Sequence, residues 1–102
     1  MCNMDEIAFR NWMTQKRYKN KVIGDCISRL KRIEREFGYC DIDVQYQRDR
    51  CEYLIYLFSN MGKNEEMKKY SSANFPVGKY HMSTYRYALR RYVQFCDEIT
   101  SE

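Results

Sequence analysis

Apolar residues along the chain recur at helical spacing in four stretches. Phe9, Trp12 and Met13 fall at i, i+3 and i+4, with Lys16 one turn on, and Asn3 and Glu6 stand where an N-cap and its partner belong. This pattern predicts a first helix over residues 4–16. Asn20 then caps a second helix, in which Val22, Ile23, Cys26, Ile27, Leu30, Ile33 and Phe37 form one slowly drifting stripe closed by Gly38. Residues 43–60 are less regular. Cys51, Leu54, Ile55 and Phe58 make an apolar face there, while Asp49 followed by Glu52 marks a break and a fresh cap. The clearest pattern is the last, from about Ser83 to Thr100, with Tyr85, Ala88, Leu89, Tyr92, Val93, Cys96 and Ile99 on one side. Between these stretches, Asn60, Gly62, Asn64, Ser71, Ser72, Asn74, Pro76 and Gly78 predict a long loop at about 60–80. No stretch alternates as a strand would. The expected fold class is therefore all-α, a small four-helix bundle that becomes a five-helix one if the break near Asp49 divides the third helix.

At 102 residues the chain is expected to form a single helical domain, 1–102. Its longest wholly apolar run, Tyr53 to Phe58, is far below the roughly 18 residues that a membrane-spanning helix requires. The start, Met-Cys-Asn-Met-Asp-Glu, carries acid where a secretory signal needs positive charge, so a cytoplasmic location is expected. Five cysteines form no C-x-x-C pair, and an odd count argues for reduced thiols. Three of them, Cys26, Cys51 and Cys96, lie on the apolar stripes and are expected in the core as small hydrophobes.

Catalytic chemistry lacks its parts. His81 is the one histidine and stands beside the start of the last helix, which excludes most histidine acid–base pairs and any two-histidine metal site. The cysteine spacings match no zinc framework. Glu66-x-Lys68, with Asp43 or Asp49 upstream, imitates the acidic and lysine signature of metal-dependent nucleases, but it falls in a loop of a helical chain and reads as solvated charge. No phosphate-cradling glycine motif or nucleophile elbow occurs. The chain is not expected to be an enzyme, and no metal or cofactor is implied.

The distribution of charge is more informative. The net formal charge is +4, yet residues 16–35 alone hold eight cations against Asp25 and Glu34, a net of +6. Opposite the apolar stripe of the second helix lie Lys21, Gly24, Asp25, Ser28, Lys31, Arg32 and Arg35, with small residues between cationic ends. A polyanion could approach such a face closely while Lys21, Arg32 and Arg35 reach phosphates and Ser28 donates a hydrogen bond. Lys16, Arg17 and Lys19 occupy the preceding turn, and Ser83, Arg86, Tyr87, Arg90, Arg91 and Gln94 form a second strip on the last helix. The expected function is a stand-alone, non-enzymatic nucleic-acid-binding module using Lys16, Arg17, Lys19, Lys21, Ser28, Arg32, Arg35, Arg86 and Arg90. Lys21→Glu with Arg32→Glu is then expected to abolish binding without lowering the melting temperature. A rival reading is a small phage-type or accessory protein that binds and modulates or inhibits a nucleic-acid-processing enzyme. Tyr53, Tyr56, Tyr70, Tyr80 and Tyr87 would anchor that interface, and Asp41, Asp43, Asp49 and Glu52 would imitate a phosphate backbone.

The segments Phe9-x-x-Trp12-Met13, Tyr18, Lys21 to Phe37 with its Ile27-Ser28-Arg29-Leu30-Lys31-Arg32-Ile33 centre, and the closing Tyr85-Arg86-Tyr87-Ala88-Leu89-Arg90-Arg91-Tyr92-Val93-Gln94-Phe95 cover about half the chain. Together they resemble the N-terminal core-binding domain of phage integrases and other tyrosine recombinases. Similar segments also precede nuclease domains in some bacterial defence proteins. The resemblance implies a SAM-like helical bundle that clamps one side of duplex DNA, with Lys19, Lys21, Ser28, Arg32, Arg86 and Arg90 facing the DNA. No catalytic domain follows in this sequence, so recombinase activity is not expected.

Overall fold

A computed structural model describes residues 5–36, 41–58 and 79–100, and among these residues every regular element is a helix. There are five: α1 (Glu6–Gln15), α2 (Asn20–Glu36), α3 (Ile42–Asp49), α4 (Glu52–Leu57) and α5 (Lys79–Thr100). The all-α bundle is as expected, in its five-helix form. No described helix is long and apolar enough to cross a membrane.

α1 begins two residues later than the sequence pattern suggests, because the carboxylate of Asp5 takes the capping role by accepting from the Ala8 amide at 3.2 Å. Its far end closes on two backbone bonds, Arg17 N–H to the Thr14 carbonyl at 3.0 Å and Tyr18 N–H to the Met13 carbonyl at 3.1 Å, with Arg17 at φ 69°. This is a Schellman cap with an arginine where glycine is usual. The apolar contact that accompanies such caps is present too, since the Tyr18 and Trp12 rings lie 6.4 Å apart. The cap turns the chain sharply and aims α2 back along α1.

α2 buries Ile23, Cys26, Ile27, Leu30 and Ile33, the stripe that helical spacing demands, although Val22 is only half-buried. It runs antiparallel to α5, since Tyr18 near its start meets Arg91 and Arg32 near its end meets Tyr85. α1 lies parallel to α5, where Phe9, Trp12, Tyr92 and Phe95 form an aromatic cluster with centroid separations of 5.1 to 6.1 Å. Leu54, Leu57 and Phe58 of the α4 region close the core against Met82, Tyr85, Ala88 and Leu89. Phe58 stacks on Tyr85 at 5.2 Å.

Several boundaries differ from the pattern-based ones. The expected helix 43–60 is two helices, separated by Arg50 and Cys51, both in the left-handed region at φ 56° and 62°. Asp49 ends the first of them and Cys51 is the N-cap of the second, although the Asp49 carboxylate still reaches the first turn of α4 by accepting from the Tyr53 amide at 3.1 Å. α5 starts at Lys79 and not Ser83, so the last two residues of the expected 60–80 loop are helical. Ile99, placed on the buried stripe, is 50% exposed and borders a cavity that Asp43, Tyr46 and Phe95 also line. Cys26, Cys51 and Cys96 are buried thiols, as expected. Asn3, Gly38, Cys2, Cys40, Glu66, Lys68, Tyr70, most of the 60–80 stretch and the side chains of Tyr80 and His81 lie outside the described residues.

Candidate functional site

The nine residues singled out for polyanion contact separate into three groups. Arg17, Lys19, Lys21, Ser28 and Arg90 are exposed, and Arg17, Lys19 and Arg90 form no ion pair within the described residues. Lys16 and Arg35 are also accessible but face carboxylates, Glu98 at 3.0 Å and Glu36 at 3.5 Å. Arg32 and Arg86 are not surface groups in the expected sense. Arg32 is half-buried and its Nη1 donates to the Tyr85 hydroxyl at 3.2 Å. Arg86 donates to the backbone carbonyl of Phe58, tying α5 to the end of α4. These two guanidiniums brace the helix packing and are less exposed than the other cations of the set. Charge reversal at Arg32 would remove its hydrogen bond to the Tyr85 hydroxyl and lower stability, so the double variant with Lys21 is not neutral.

The α1–α2 corner brings one set of cations together. The Schellman cap places Arg17, Lys19 and Lys21 within a few residues of the turn apex, and Tyr18 between them points onto α5. There Arg91 Nη1 donates to the Tyr18 hydroxyl at 3.4 Å, and its guanidinium lies 5.0 Å from the Tyr87 ring centroid. This contact sets Arg91 alongside the corner, with the exposed Arg90 next to it in sequence. Lys16 completes the corner from α1, resting 5.8 Å from the Trp12 ring. Its partner Glu98 is held below the usual carboxylate range, first by the Trp12 indole N–H at 3.1 Å and then by Lys16 itself.

Arg35 is not part of this group. It lies fourteen residues beyond Lys21, roughly 21 Å along the axis of α2. Ser28 is on the same face at about half that separation. Arg91, Tyr18 and Tyr87 complete the corner although they were not among the nine. Arg91 and Tyr87 were legible as part of the α5 strip, whereas Tyr18 had no local signal beyond standing in a cationic turn.

Asp25 is the carboxylate inside the basic face. Lys21 Nζ lies 3.5 Å from it and Arg29 Nη1 4.0 Å. Lys21 is 87% exposed, and ion pairs this open contribute about 0–1 kcal/mol, so a phosphate can take the lysine from Asp25 at little cost. Gly24 sits beside them with nothing within 4 Å of the position a Cβ would occupy. No described neighbour needs a glycine there, so the helix gives up about 0.8–1 kcal/mol relative to alanine for an unobstructed backbone.

Between α2 and α5, next to this corner, runs an open groove of about 450 Å³ lined by Val22, Asp25, Cys26, Arg29, Ser83, Thr84 and Tyr87. Burial pushes the Cys26 thiol at its floor up to about 11, so the thiol stays protonated and unreactive at neutral pH. Among the described residues no three histidine, cysteine or carboxylate side chains converge as a metal site would need.

The acidic middle of the chain has internal duties. Asp41 Oδ1 accepts from the Asp43 amide at 2.9 Å, the Asp43 carboxylate accepts from the Tyr92 hydroxyl, and Asp49 accepts from the Tyr53 amide of α4. Of the tyrosines named as interface anchors, Tyr56 and Tyr87 are exposed and Tyr53 is half-buried. Comparison of the chain with protein-family models, with curated proteins and with solved structures finds no match.

Proposed function

We propose that the chain is a non-enzymatic nucleic-acid-binding module whose contact surface is the α1–α2 corner with the adjoining middle of α5. The observation that carries this reading is the contact of Arg91 with Tyr18 and Tyr87, which brings a cation of α5 to the turn that holds Arg17, Lys19 and Lys21, some seventy residues away in sequence. Clustered cations on one surface neutralise successive phosphates and release their counterions, which supplies most of the affinity in sequence-independent binding. The reading keeps Lys19, Lys21 and Arg90 from the integrase likeness and replaces Arg32 and Arg86 by Arg17 and Arg91. The rival, an inhibitor presenting phosphate-like acids, is less favoured because Asp41, Asp43 and Asp49 already accept from helix amides or from Tyr92.

Fluorescence polarisation with a labelled oligonucleotide tests the proposal. Binding should weaken linearly in log–log form with added salt, with a slope of roughly −0.7 to −0.9 per phosphate contacted. Lys19→Glu with Lys21→Glu and Arg90→Glu should remove binding while the melting temperature stays within a few degrees of wild type, because all three side chains are exposed. Arg35→Glu, far along α2, should leave most of the affinity. An absence of binding at low salt, or a triple variant that binds as well as wild type, overturns the assignment.

A further inference from the structure

The groove beside the basic corner has a chemistry of its own. Tyr87, 39% exposed, forms one wall, and the Arg91 guanidinium lies over its ring. Val22 and Cys26 supply an apolar floor, and Asp25, Arg29, Ser83 and Thr84 bring polar groups to the rim. A volume of about 450 Å³ falls within the range of clefts that hold small planar ligands. An aromatic wall, an apolar floor and a few hydrogen-bonding groups at the rim are what an unstacked nucleobase requires, while the cations at the corner attend to its phosphates.

Asp25 is the informative group. A carboxylate within a polyanion-binding face opposes phosphate, and its open i,i+4 pairs with Lys21 and Arg29 contribute little to offset that. The flanking Lys21 and Arg29 hold it at the groove rim, where as an acceptor it demands a donor from the ligand. The exocyclic amino group of cytosine is such a donor, whereas thymine presents a carbonyl oxygen at the same ring position and would be repelled.

We infer that the α2/α5 groove receives an unpaired, amino-bearing nucleobase, stacked along Tyr87 and donating to Asp25, so that the ligand of the basic corner is single-stranded nucleic acid. This rests on the proposed function above and deepens it. A base inside a duplex cannot enter a cleft between two helices without being flipped out, whereas a single strand presents one at no such cost.

Polarisation titrations with equal-length oligo-dC, oligo-dT and an abasic oligonucleotide of the same phosphate count separate the two claims. At neutral pH oligo-dC should bind about tenfold tighter than the abasic strand, and several-fold tighter than oligo-dT. Asp25→Asn should erase the gap between oligo-dC and oligo-dT, because an amide can both accept from an amino group and donate to a carbonyl, while all three strands gain from the lost negative charge. Tyr87→Ala should bring oligo-dC down towards the abasic value, and Tyr87→Phe, which keeps the ring, should not. Circular dichroism of each variant confirms folding. Equal affinity for oligo-dC and the abasic strand overturns the base site and leaves the phosphate-binding reading standing; no binding of any strand overturns that reading itself. A gap between oligo-dC and oligo-dT that persists in Asp25→Asn removes Asp25 from the site.

Discussion

Arg17 holds two roles that conflict. Its left-handed backbone, φ 69°, is tolerated by non-glycine residues only at a cost of about 1–2 kcal/mol, yet its side chain stands exposed at the centre of the basic corner. Arg17→Gly is therefore expected to raise stability by about 0.5–1 kcal/mol, seen as an increased denaturant midpoint with an unchanged slope, and to weaken oligonucleotide binding in the same sample. A glycine variant that is less stable would mean that the arginine contributes more to the fold than its backbone costs. Strain retained at an exposed cation is what selection for a contact, rather than for stability, leaves behind. Arg32 shows the opposite case. Its sequence context is that of Lys21, both cations on one face of α2, and its bond to the Tyr85 hydroxyl 53 residues away gives it a bracing role that Lys21 lacks.

At the scale of elements, α1, α3 and α5 meet around one hydroxyl. Tyr92 accepts from the Asp5 amide at 3.0 Å and donates to the Asp43 carboxylate, linking the start of α1 and the first turn of α3 to the core helix. Burial holds the Asp43 carboxyl above its usual range, the bond from Tyr92 pulls the other way, and Asp41 and Asp5 add to the rise. An acid with a raised folded pKa is a liability when ionised, so its penalty is present above that pKa and fades as pH falls through it. Asp43→Asn keeps an acceptor for Tyr92 without the charge. Its melting temperature should exceed wild type at pH 7, and the difference should disappear below about pH 4, where the unfolded carboxyl is protonated as well. A deficit at pH 7 would show that the charge itself helps, for example at the N-terminus of α3. A similar link ties α2 to α3: the buried Glu34 accepts from the Ile42 amide at 3.1 Å, so a residue that reads as one more surface charge seats the next helix.

For the whole molecule, α5 is the element on which the others are assembled, with Leu89 at its centre and fully buried. Leu89→Asp places a carboxylate among apolar side chains at a cost of several kcal/mol, comparable to the total stability of a domain this small, and should abolish the cooperative thermal transition. A variant that still melts cooperatively near the wild-type temperature would refute that centrality. The helix faces were legible in advance, since burial in a bundle follows a 3.6-residue period that local sequence carries: Ile23, Cys26, Ile27, Leu30 and Ile33 of α2 and Tyr85, Ala88, Leu89, Tyr92 and Cys96 of α5 are inside as their spacing requires. The excess of positive charge in residues 16–35 was equally plain. What the sequence left undecided is which cations face solvent as a group, because a guanidinium gives no local sign of whether its partner is water, a tyrosine or a carbonyl on another helix. Only the packing of α5 against α2 and α4 turned Arg32 and Arg86 inward and set Arg91 beside Tyr18, since hydrogen bonds between residues 28 to 73 positions apart depend on the assembled core and not on periodicity.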